Sequence, residues 1–157
     1  MAETCDLLGF LAAMNSTSGT VGWQEGNPVR LQEFLSRVGA WRSLLRRHRG
    51  RSFALYMDNA IEFASALFGA WHAGKVVYLP GDNLPGTCAR LCAEVNGFLG
   101  EFTVECSPIL SAPHRRDDDT EHFHRLESDF VGLVLYTSGT TGTPQAIPKK
   151  LAQLARE

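Results

Sequence analysis

Apolar residues recur at helical spacing in four parts of the chain and predict four helices. The longest begins at Asn27-Pro28, where Asn27 suits an N-cap and Pro28 suits the first turn, and it ends near Arg49-Gly50. Asp58 or Asn59 can cap the next helix. Glu62 lies three residues after Asn59, as in a capping box, and Gly74 is a stop signal. The predicted helices cover residues 4–14, 27–50, 58–74 and a segment through Leu91, Val95 and Phe98.

Short apolar runs between these helices predict strands. A continuous apolar run without polar alternation is typical of a parallel strand that is buried on both faces. The run from Phe130 to Tyr136 shows this best, and we expect it to be a central parallel strand. The other predicted strands are Ser52–Met57, Lys75–Leu79 and a short strand near Phe102-Thr103-Val104. This order predicts the α/β class, with a layered, mostly parallel sheet flanked by helices.

Composition and charge narrow the class of protein. The chain has 157 residues, the size of one ordinary domain, and its 44% hydrophobic and 20% charged residues are typical of a globular protein. Its net charge of −2 gives no basic excess for nucleic acid or a membrane surface. No apolar stretch approaches the ~20 residues of a membrane span. The N-terminus is acidic where a signal peptide would be basic, so we expect a cytoplasmic location.

The cysteines and one histidine are further candidates for chemistry. Without a secretory signal or a dense pattern, the four cysteines are interpreted as free thiols. Cys88 and Cys92 share one helix face, but a metal site would need two more ligands, so we expect no metal site. His72 lies at a predicted helix end, where a cation is favourable. The four cysteines are Cys5, Cys88, Cys92 and Cys106.

A loop rich in glycine and hydroxyl groups follows the last predicted strand. Its glycines allow positive φ and a close approach of phosphate oxygens to the backbone, and its hydroxyls can donate hydrogen bonds to those oxygens. Loops at the carboxyl ends of parallel strands are where α/β sheets generally bind ligands. The loop lacks the Gly-Lys-Ser/Thr ending of a Walker P-loop, and its composition alone also fits a turn without a ligand. The candidate ATP-phosphate ligands are Thr137, Ser138, Gly139, Thr140, Thr141, Gly142 and Gln145.

The order of residues in this loop supports the ligand-binding interpretation. Tyr136 to Gly142, with Pro144, resembles the signature Tyr-Thr-Ser-Gly-Ser/Thr-Thr-Gly-x-Pro-Lys-Gly of the adenylate-forming (ANL) superfamily. That superfamily includes acyl-CoA synthetases, adenylation domains of peptide synthetases, and luciferases. The segment from Trp71 to Asp82 is similar to a second pattern of the family, Ala-Gly-x-x-Tyr-x-Pro-x-Asp, with one additional residue between Gly74 and Tyr78. The resemblance covers roughly residues 28–150 and implies that residues 1–157 are a partial N-terminal AMP-binding domain.

The chain departs from the family pattern in two places. Gln145-Ala146 replaces the usual Lys-Gly, so backbone amides and hydroxyls are expected to supply most of the phosphate affinity. Lys149 would share the strand face of Gln145 but lie ~13 Å further along, unless the chain folds back at Pro148. The sequence ends at Glu157, whereas the resemblance implies that the catalytic lysine, the magnesium-binding glutamate and the C-terminal domain come later.

The resemblance implies a reaction for the parent enzyme. A carboxylate attacks the α-phosphate of ATP to give an acyl-adenylate and pyrophosphate, while the loop and Mg²⁺ hold the β- and γ-phosphates. The acyl group, from a fatty or aryl acid for example, then passes to the thiol of coenzyme A or of an acyl carrier protein. The chain alone is expected to be inactive and to self-associate. The alternative is a non-catalytic remnant of the same fold that acts as a binding or interaction module.

Overall fold

The computed structural model describes residues 6–15, 18–103, 105–113, 122–137 and 142–156. The helices are α1 (Phe10–Met14), α2 (Leu31–Arg47), α3 (Ala60–His72), α4 (Pro85–Leu91) and α5 (Leu151–Leu154). A two-stranded hairpin is formed by β1 (Thr20–Gln24) and β2 (Asn27–Arg30). The six-stranded sheet consists of β3 (Ser52–Tyr56), β4 (Val76–Leu79), β5 (Gly97–Gly100), β6 (Ile109–Leu110), β7 (Val131–Thr137) and β8 (Gln145–Lys150).

The large sheet is mostly parallel, which confirms the predicted α/β fold class. Its strand order is β6-β5-β3-β4-β7-β8, and only the β7–β8 pair is antiparallel. On one face, Trp41 of α2 belongs to an apolar cluster with Leu55 and Leu133 of the sheet. On the other face, Leu91 of α4 packs in a cluster with Phe98. Side chains alternate across a strand, so a central strand such as β3 contributes to both cores, with Leu55 in the first cluster and Ala54 in the second.

Helix α3 begins and ends at the residues that the sequence predicts. The side chain of Asn59 accepts a hydrogen bond of 3.0 Å from the backbone N–H of Glu62, which confirms the N-cap. Gly74 has a φ of +70°, and the N–H of Lys75 donates to the carbonyl of Ala70 at 2.9 Å. This pairing is typical of a helix that ends in a left-handed glycine.

The side chain of Glu62 has a different role from the predicted capping box. Its Oε1 accepts a hydrogen bond of 2.6 Å from the indole N–H of Trp41, and Arg37 donates to its Oε2 at 3.4 Å. Arg37 also donates to Gln24 at 2.9 Å. Glu62 therefore links α3 to α2, and through Arg37 to the hairpin.

The predicted helix start at Asn27-Pro28 is wrong, because these residues belong to β2. The connection from β1 consists of Glu25, at a φ of 51°, and Gly26, at a φ of 80°. Positive φ at both central residues is the geometry of the tight turn that best matches the twist of a two-stranded hairpin. The helix begins at Leu31, once the pairing of the two strands has ended.

The prediction around Phe98 is also wrong in its boundaries. Helix α4 ends at Leu91, and Phe98 lies in β5, four residues before the predicted strand at Phe102. Residues Gly97–Gly100 pair with β3 in parallel register. That pairing buries Phe98 against the sheet, whereas a helical continuation would leave the edge of β3 unpaired. Val104, the end of the predicted strand, lies outside the described residues.

Helix α1 and strands β3, β4 and β7 lie where the sequence predicts them, whereas β1, β6 and α5 were not predicted. Helix α1 lies inside the predicted segment 4–14, of which residues 4 and 5 are outside the described part of the chain. Within the described part of the predicted loop 112–129 there is no helix or strand. Cys88, Cys92 and Cys106 are free thiols, and Cys5 lies outside the described residues. Among the described helices, none has the length and apolar character that a membrane crossing needs.

Lys75 ties the start of β4 to the end of α2. Its ammonium group donates to the carbonyls of His48 at 2.7 Å and Gly50 at 2.6 Å, and the residue is only 8% exposed. Hydrogen bonds that involve a charged group contribute about 1.5–3 kcal/mol each. We expect Lys75→Met to lower the free energy of unfolding in urea by about 1.5 kcal/mol or more. Methionine keeps part of the apolar chain of the lysine and removes the ammonium group.

The control for this substitution is Lys150→Met. Lys150 pairs with Asp129 at 3.3 Å, but both side chains are at least half exposed. Exposed ion pairs contribute about 0–1 kcal/mol. Equal losses of stability in the two variants would contradict a structural role for the buried ammonium group.

Candidate phosphate-binding site

The candidate loop connects the two antiparallel strands at one side of the sheet. In the register of β7 and β8, Thr137 lies opposite Gln145. Leu79, the last residue of β4, pairs with Leu135, so both strands end at the same edge of the sheet. The loop therefore leaves the carboxyl end of a parallel pair, where ligands generally bind in α/β sheets.

Three of the predicted phosphate ligands lie in the described part of this hairpin. Thr137 and Gln145 close it at its base, and Gly142 lies in the connection. All three are exposed. Gly142 has a φ of +78°, a conformation that favours glycine. Phosphate binding by these residues stays a prediction.

The other four predicted ligands lie outside the described residues. They form the part of the signature with the most hydroxyl groups. Their role therefore stays a prediction from sequence. The four residues are Ser138, Gly139, Thr140 and Thr141.

Lys149 does not take the place of the missing lysine. Strand β8 continues through Pro148 to Lys150, and Lys149 lies opposite Leu133, four residues from the Thr137–Gln145 pair. At about 3.3 Å per residue this is ~13 Å from Gln145. Pro148 is compatible with this strand because β8 is at the edge of the described sheet. Gln145 is therefore the side chain at the position of the family's lysine.

Tyr136 forms a polar contact beside the loop that the sequence did not reveal. Its hydroxyl donates a 2.7 Å hydrogen bond to Glu94, and the guanidinium carbon of Arg90 lies 5.7 Å from the ring centroid. Burial, followed by the hydrogen bond to the Glu94 carboxylate, raises the pKa of Tyr136 well above its usual range. The phenol therefore keeps its proton and serves as a donor, not as a base.

Part of this contact with Tyr136 could be predicted from the spacing of Arg90 and Glu94. Residues four apart share one helical face, so the two side chains could be predicted to lie together on α4 or its continuation. Their contact with Tyr136 depends on β7 lying next to β4 in the sheet. That neighbour relation cannot be deduced from a local pattern.

The segment after β4 is fixed by its own side chains. Asp82 Oδ1 accepts a 3.0 Å hydrogen bond from the N–H of Leu84, which is an Asx turn ahead of α4. Hydrogen bonds from Thr87 and from Leu84 lower the pKa of the Asp82 carboxyl. Asn83 donates to the carbonyl of Glu101 at 2.6 Å. The motif that ends in Asp82 thus shapes the connection to α4 at the same edge as the loop.

The described residues contain no group of three or more His, Cys, Asp or Glu side chains that could hold a metal ion. Mg²⁺ in a nucleotide site is usually held by one or two protein carboxylates together with the phosphates, so the magnesium expected for the parent enzyme stays a prediction.

The comparison with curated proteins gives one similar sequence. The chain is 28% identical over 121 residues to N-(5-amino-5-carboxypentanoyl)-L-cysteinyl-D-valine synthase of Amycolatopsis lactamdurans. The match covers 64% of this chain and 3% of the synthase, so the chain corresponds to a small part of a far longer protein. No protein-family model matches the chain.

Solved structures share the fold at low sequence identity. The N-terminal subdomain of NpsA from Klebsiella oxytoca has a TM-score of 0.70 and 18% identity, covering 92% of this chain and 41% of that chain. PA1221, a nonribosomal peptide synthetase protein with adenylation and PCP domains, has a TM-score of 0.66 and 19% identity, covering 95% and 32%. FmoA3, a nonribosomal peptide synthetase solved with AMPPNP bound, has a TM-score of 0.64 and 17% identity, covering 83% and 15%.

These similarities confirm the predicted resemblance to the adenylate-forming superfamily at the level of the fold. The chain has the α/β fold of the N-terminal part of an adenylation domain. It spans less than half of each of these proteins. The fold alone therefore does not establish the activity, substrate or partners of a whole enzyme.

Proposed function

Because the chain has the fold of the N-terminal part of an adenylation domain, we propose that it belongs to an ATP-dependent carboxylate-activating enzyme. The observation that carries this proposal is the β7–β8 hairpin. A loop with the superfamily's phosphate signature leaves the carboxyl edge of the sheet, with Thr137 and Gln145 paired at its base. We propose that this loop binds the β- and γ-phosphates of ATP, in the cytoplasm.

In the proposed reaction a carboxylate oxygen of the substrate attacks the α-phosphorus of ATP. The bond between the α-phosphorus and its bridging oxygen breaks, and pyrophosphate leaves with that electron pair. Backbone N–H groups and hydroxyls of the loop would donate hydrogen bonds to the oxygens whose charge grows as pyrophosphate departs. Mg²⁺, when bound, would neutralise part of the same charge.

A carrier-protein thiol is the acceptor that we propose for the second step. The curated relative is a peptide synthase, and PA1221 combines adenylation and PCP domains in one protein. In this step the thiol sulfur attacks the acyl carbon, AMP leaves, and a thioester forms. Coenzyme A is the alternative acceptor and would be identified by transfer to free coenzyme A in place of a carrier domain.

The test of the function is carboxylate-dependent ATP–pyrophosphate exchange with the longest protein that contains this chain. We expect exchange with at least one member of a panel of amino, aryl and fatty acids. The 157-residue chain alone is expected to give none, because it spans less than half of each of the similar structures. A long protein that folds and binds a carrier domain, but shows no exchange with any acid, would support the non-catalytic remnant. Self-association of the isolated chain stays a prediction.

Restoring the family's lysine is expected to strengthen ATP binding. A neutral hydrogen bond contributes about 0.5–1.5 kcal/mol and one with a charged donor about 1.5–3 kcal/mol, a difference of roughly 1 kcal/mol. We therefore expect Gln145→Lys to lower the KM for ATP about fivefold in the exchange assay.

Lys149→Gln is the control for this gain, because ~13 Å of strand separates Lys149 from the base of the loop. Its KM for ATP should stay within about twofold of the parent value. A KM that is unchanged in Gln145→Lys and raised in Lys149→Gln would assign the phosphate contact to Lys149 and refute the register argument.

A further inference from the structure

A pocket opens at the edge of the sheet opposite to the loop of the β7–β8 hairpin. Its volume is about 290 Å³, and it is lined by residues of α2, the end of α3 and the segment that leads into β7. Phe130, one of its walls, directly precedes the first residue of β7. Because β7 has seven residues and each advances about 3.3 Å, the pocket lies about 20 Å from Thr137.

Among the described residues, the polar part of the pocket lining is mostly basic. Three guanidinium groups and two imidazoles line it there, together with the carboxylate of Glu127. Arg125, one of the three arginines, is ion-paired with Asp6. The five basic side chains are Arg42, Arg46, His72, His124 and Arg125.

Arg42 is the most buried of these cations. It is 3% exposed, and its guanidinium carbon lies 4.5 Å from the centroid of the Phe123 ring. Stacking on an aromatic face orients a guanidinium and stabilises it away from water. Arg46 lies one helical turn further along α2 and is exposed, so the two arginines line the pocket at different depths.

His72 is a partly buried imidazole in the lining of this pocket. Its ring centroid lies 5.0 Å from that of Phe123. Burial, followed by the charges of Arg42, Arg46 and His124, lowers the pKa of His72 to about 4. The imidazole is therefore neutral at pH 7, in contrast to the cation that its helix-end position suggested.

The rest of the lining is apolar and partly rigid. Trp71, Leu126 and Phe130 form its apolar wall. The indole N–H of Trp71 donates a 2.8 Å hydrogen bond to the carbonyl of Gly132, which fixes the ring against β7. The pocket thus combines a basic side with an apolar wall.

We propose that this pocket binds a small organic carboxylate, with its anionic group toward Arg42 and Arg46 and its hydrocarbon part against Trp71 and Phe130. A planar guanidinium matches a carboxylate with two parallel hydrogen bonds, and the apolar wall favours a carbon skeleton over a bare inorganic ion. The pocket is separate from the proposed phosphate-binding loop, because about 20 Å of β7 lies between them.

The test is isothermal titration calorimetry of the 157-residue chain with benzoate, at about pH 5.5 and 7.5, in buffers without carboxylates. We expect saturable binding, with proton uptake at the lower pH measured from two buffers of different ionisation enthalpy. Proton uptake is expected because a bound anion favours the protonated imidazole of His72. It therefore raises the pKa of His72 from about 4 toward the pH of the experiment. Arg42 and Arg46 of α2 and His124 of the segment before β7 are the electrostatic neighbours of His72, and Arg125 and Glu127 of that segment also line the pocket.

Substitutions and alternative probes make the proposal refutable. Arg46→Gln should weaken benzoate binding at least about fivefold, whereas Arg47→Gln, an exposed neighbour outside the pocket lining, should stay within about twofold. His72→Asn should bind benzoate without the proton uptake. Benzyl alcohol should not bind, and inorganic phosphate should bind more weakly than benzoate. Absence of benzoate binding, equal loss in both arginine variants, or tighter binding of phosphate would overturn the carboxylate assignment.

Discussion

Replacing both Thr140 and Thr141 by alanine is expected to lower the efficiency of ATP–pyrophosphate exchange at least tenfold in the longest protein that contains this chain. The signature places these two hydroxyls among the candidate phosphate donors. A hydrogen bond to a charged group contributes about 1.5–3 kcal/mol, and about 1.4 kcal/mol corresponds to a factor of ten. The loss of both donors should appear mainly in kcat, because pyrophosphate gains charge as it leaves.

Thr143→Ala is the matched control for this pair. Thr143 lies in the same connection, but at the variable position of the signature, and it is exposed. Its exchange rate should stay within about twofold of the parent, and the circular dichroism spectra of both variants should be unchanged. An active double variant, or an equally impaired Thr143→Ala, would show that the hydroxyls at 140 and 141 do not bind the phosphates.

The sequence predicted the elements whose signals are local. The apolar residues of α3 are preceded by a side-chain cap at Asn59 and followed by a left-handed glycine at Gly74, and the structure has both. The apolar run before the loop became β7 with nearly the predicted limits. In each case the residues that determine the structure are close together in the chain.

The failures arose where distant pairing determines the conformation. Asn27-Pro28 has the composition of a helix start, but the turn at Glu25-Gly26 directs these residues into a hairpin. Phe98 has the spacing of a helix residue, but the open edge of β3 takes Gly97–Gly100 as its neighbour. Tertiary pairing overrides local propensity in both places.

The two candidate sites differed in how far the sequence could reveal them. The phosphate loop is continuous in the chain, so one motif could identify it. The carboxylate pocket combines Arg42 of α2, His72 of α3 and His124 of the later segment, which meet only after α2 and α3 have packed on the sheet. Its strongest sequence signal, the basic run Arg46-Arg47-His48, is shared with any solvated helix end.

The close packing of α2 on α3 leads to the largest expected effect on stability. Gly69 lies in α3 where it crosses α2, and a β-carbon there would be 2.5 Å from Cβ of Trp41 and 2.9 Å from the carbonyl oxygen of Val38. The second contact is to backbone, so it can be relieved only by moving one helix away from the other. Overpacking in a core costs about 1–3 kcal/mol and occasionally more, and valine adds further methyl groups beyond the β-carbon. We expect Gly69→Val to lower the free energy of unfolding in urea by about 3 kcal/mol or more.

Gly86 provides the matched control, because it is also a helical glycine, but a β-carbon added to it would have no described atom within 4 Å. Valine has a helix propensity slightly better than that of glycine, so Gly86→Val should change the free energy of unfolding by less than about 0.5 kcal/mol. Because α2 and α3 carry Arg42, Arg46 and His72, separating these helices should also weaken benzoate binding in Gly69→Val at temperatures where the variant is still folded. A Gly69→Val chain with parental stability would mean that α2 and α3 pack less closely than this β-carbon geometry requires, and the depth of the pocket would then have to be revised with them.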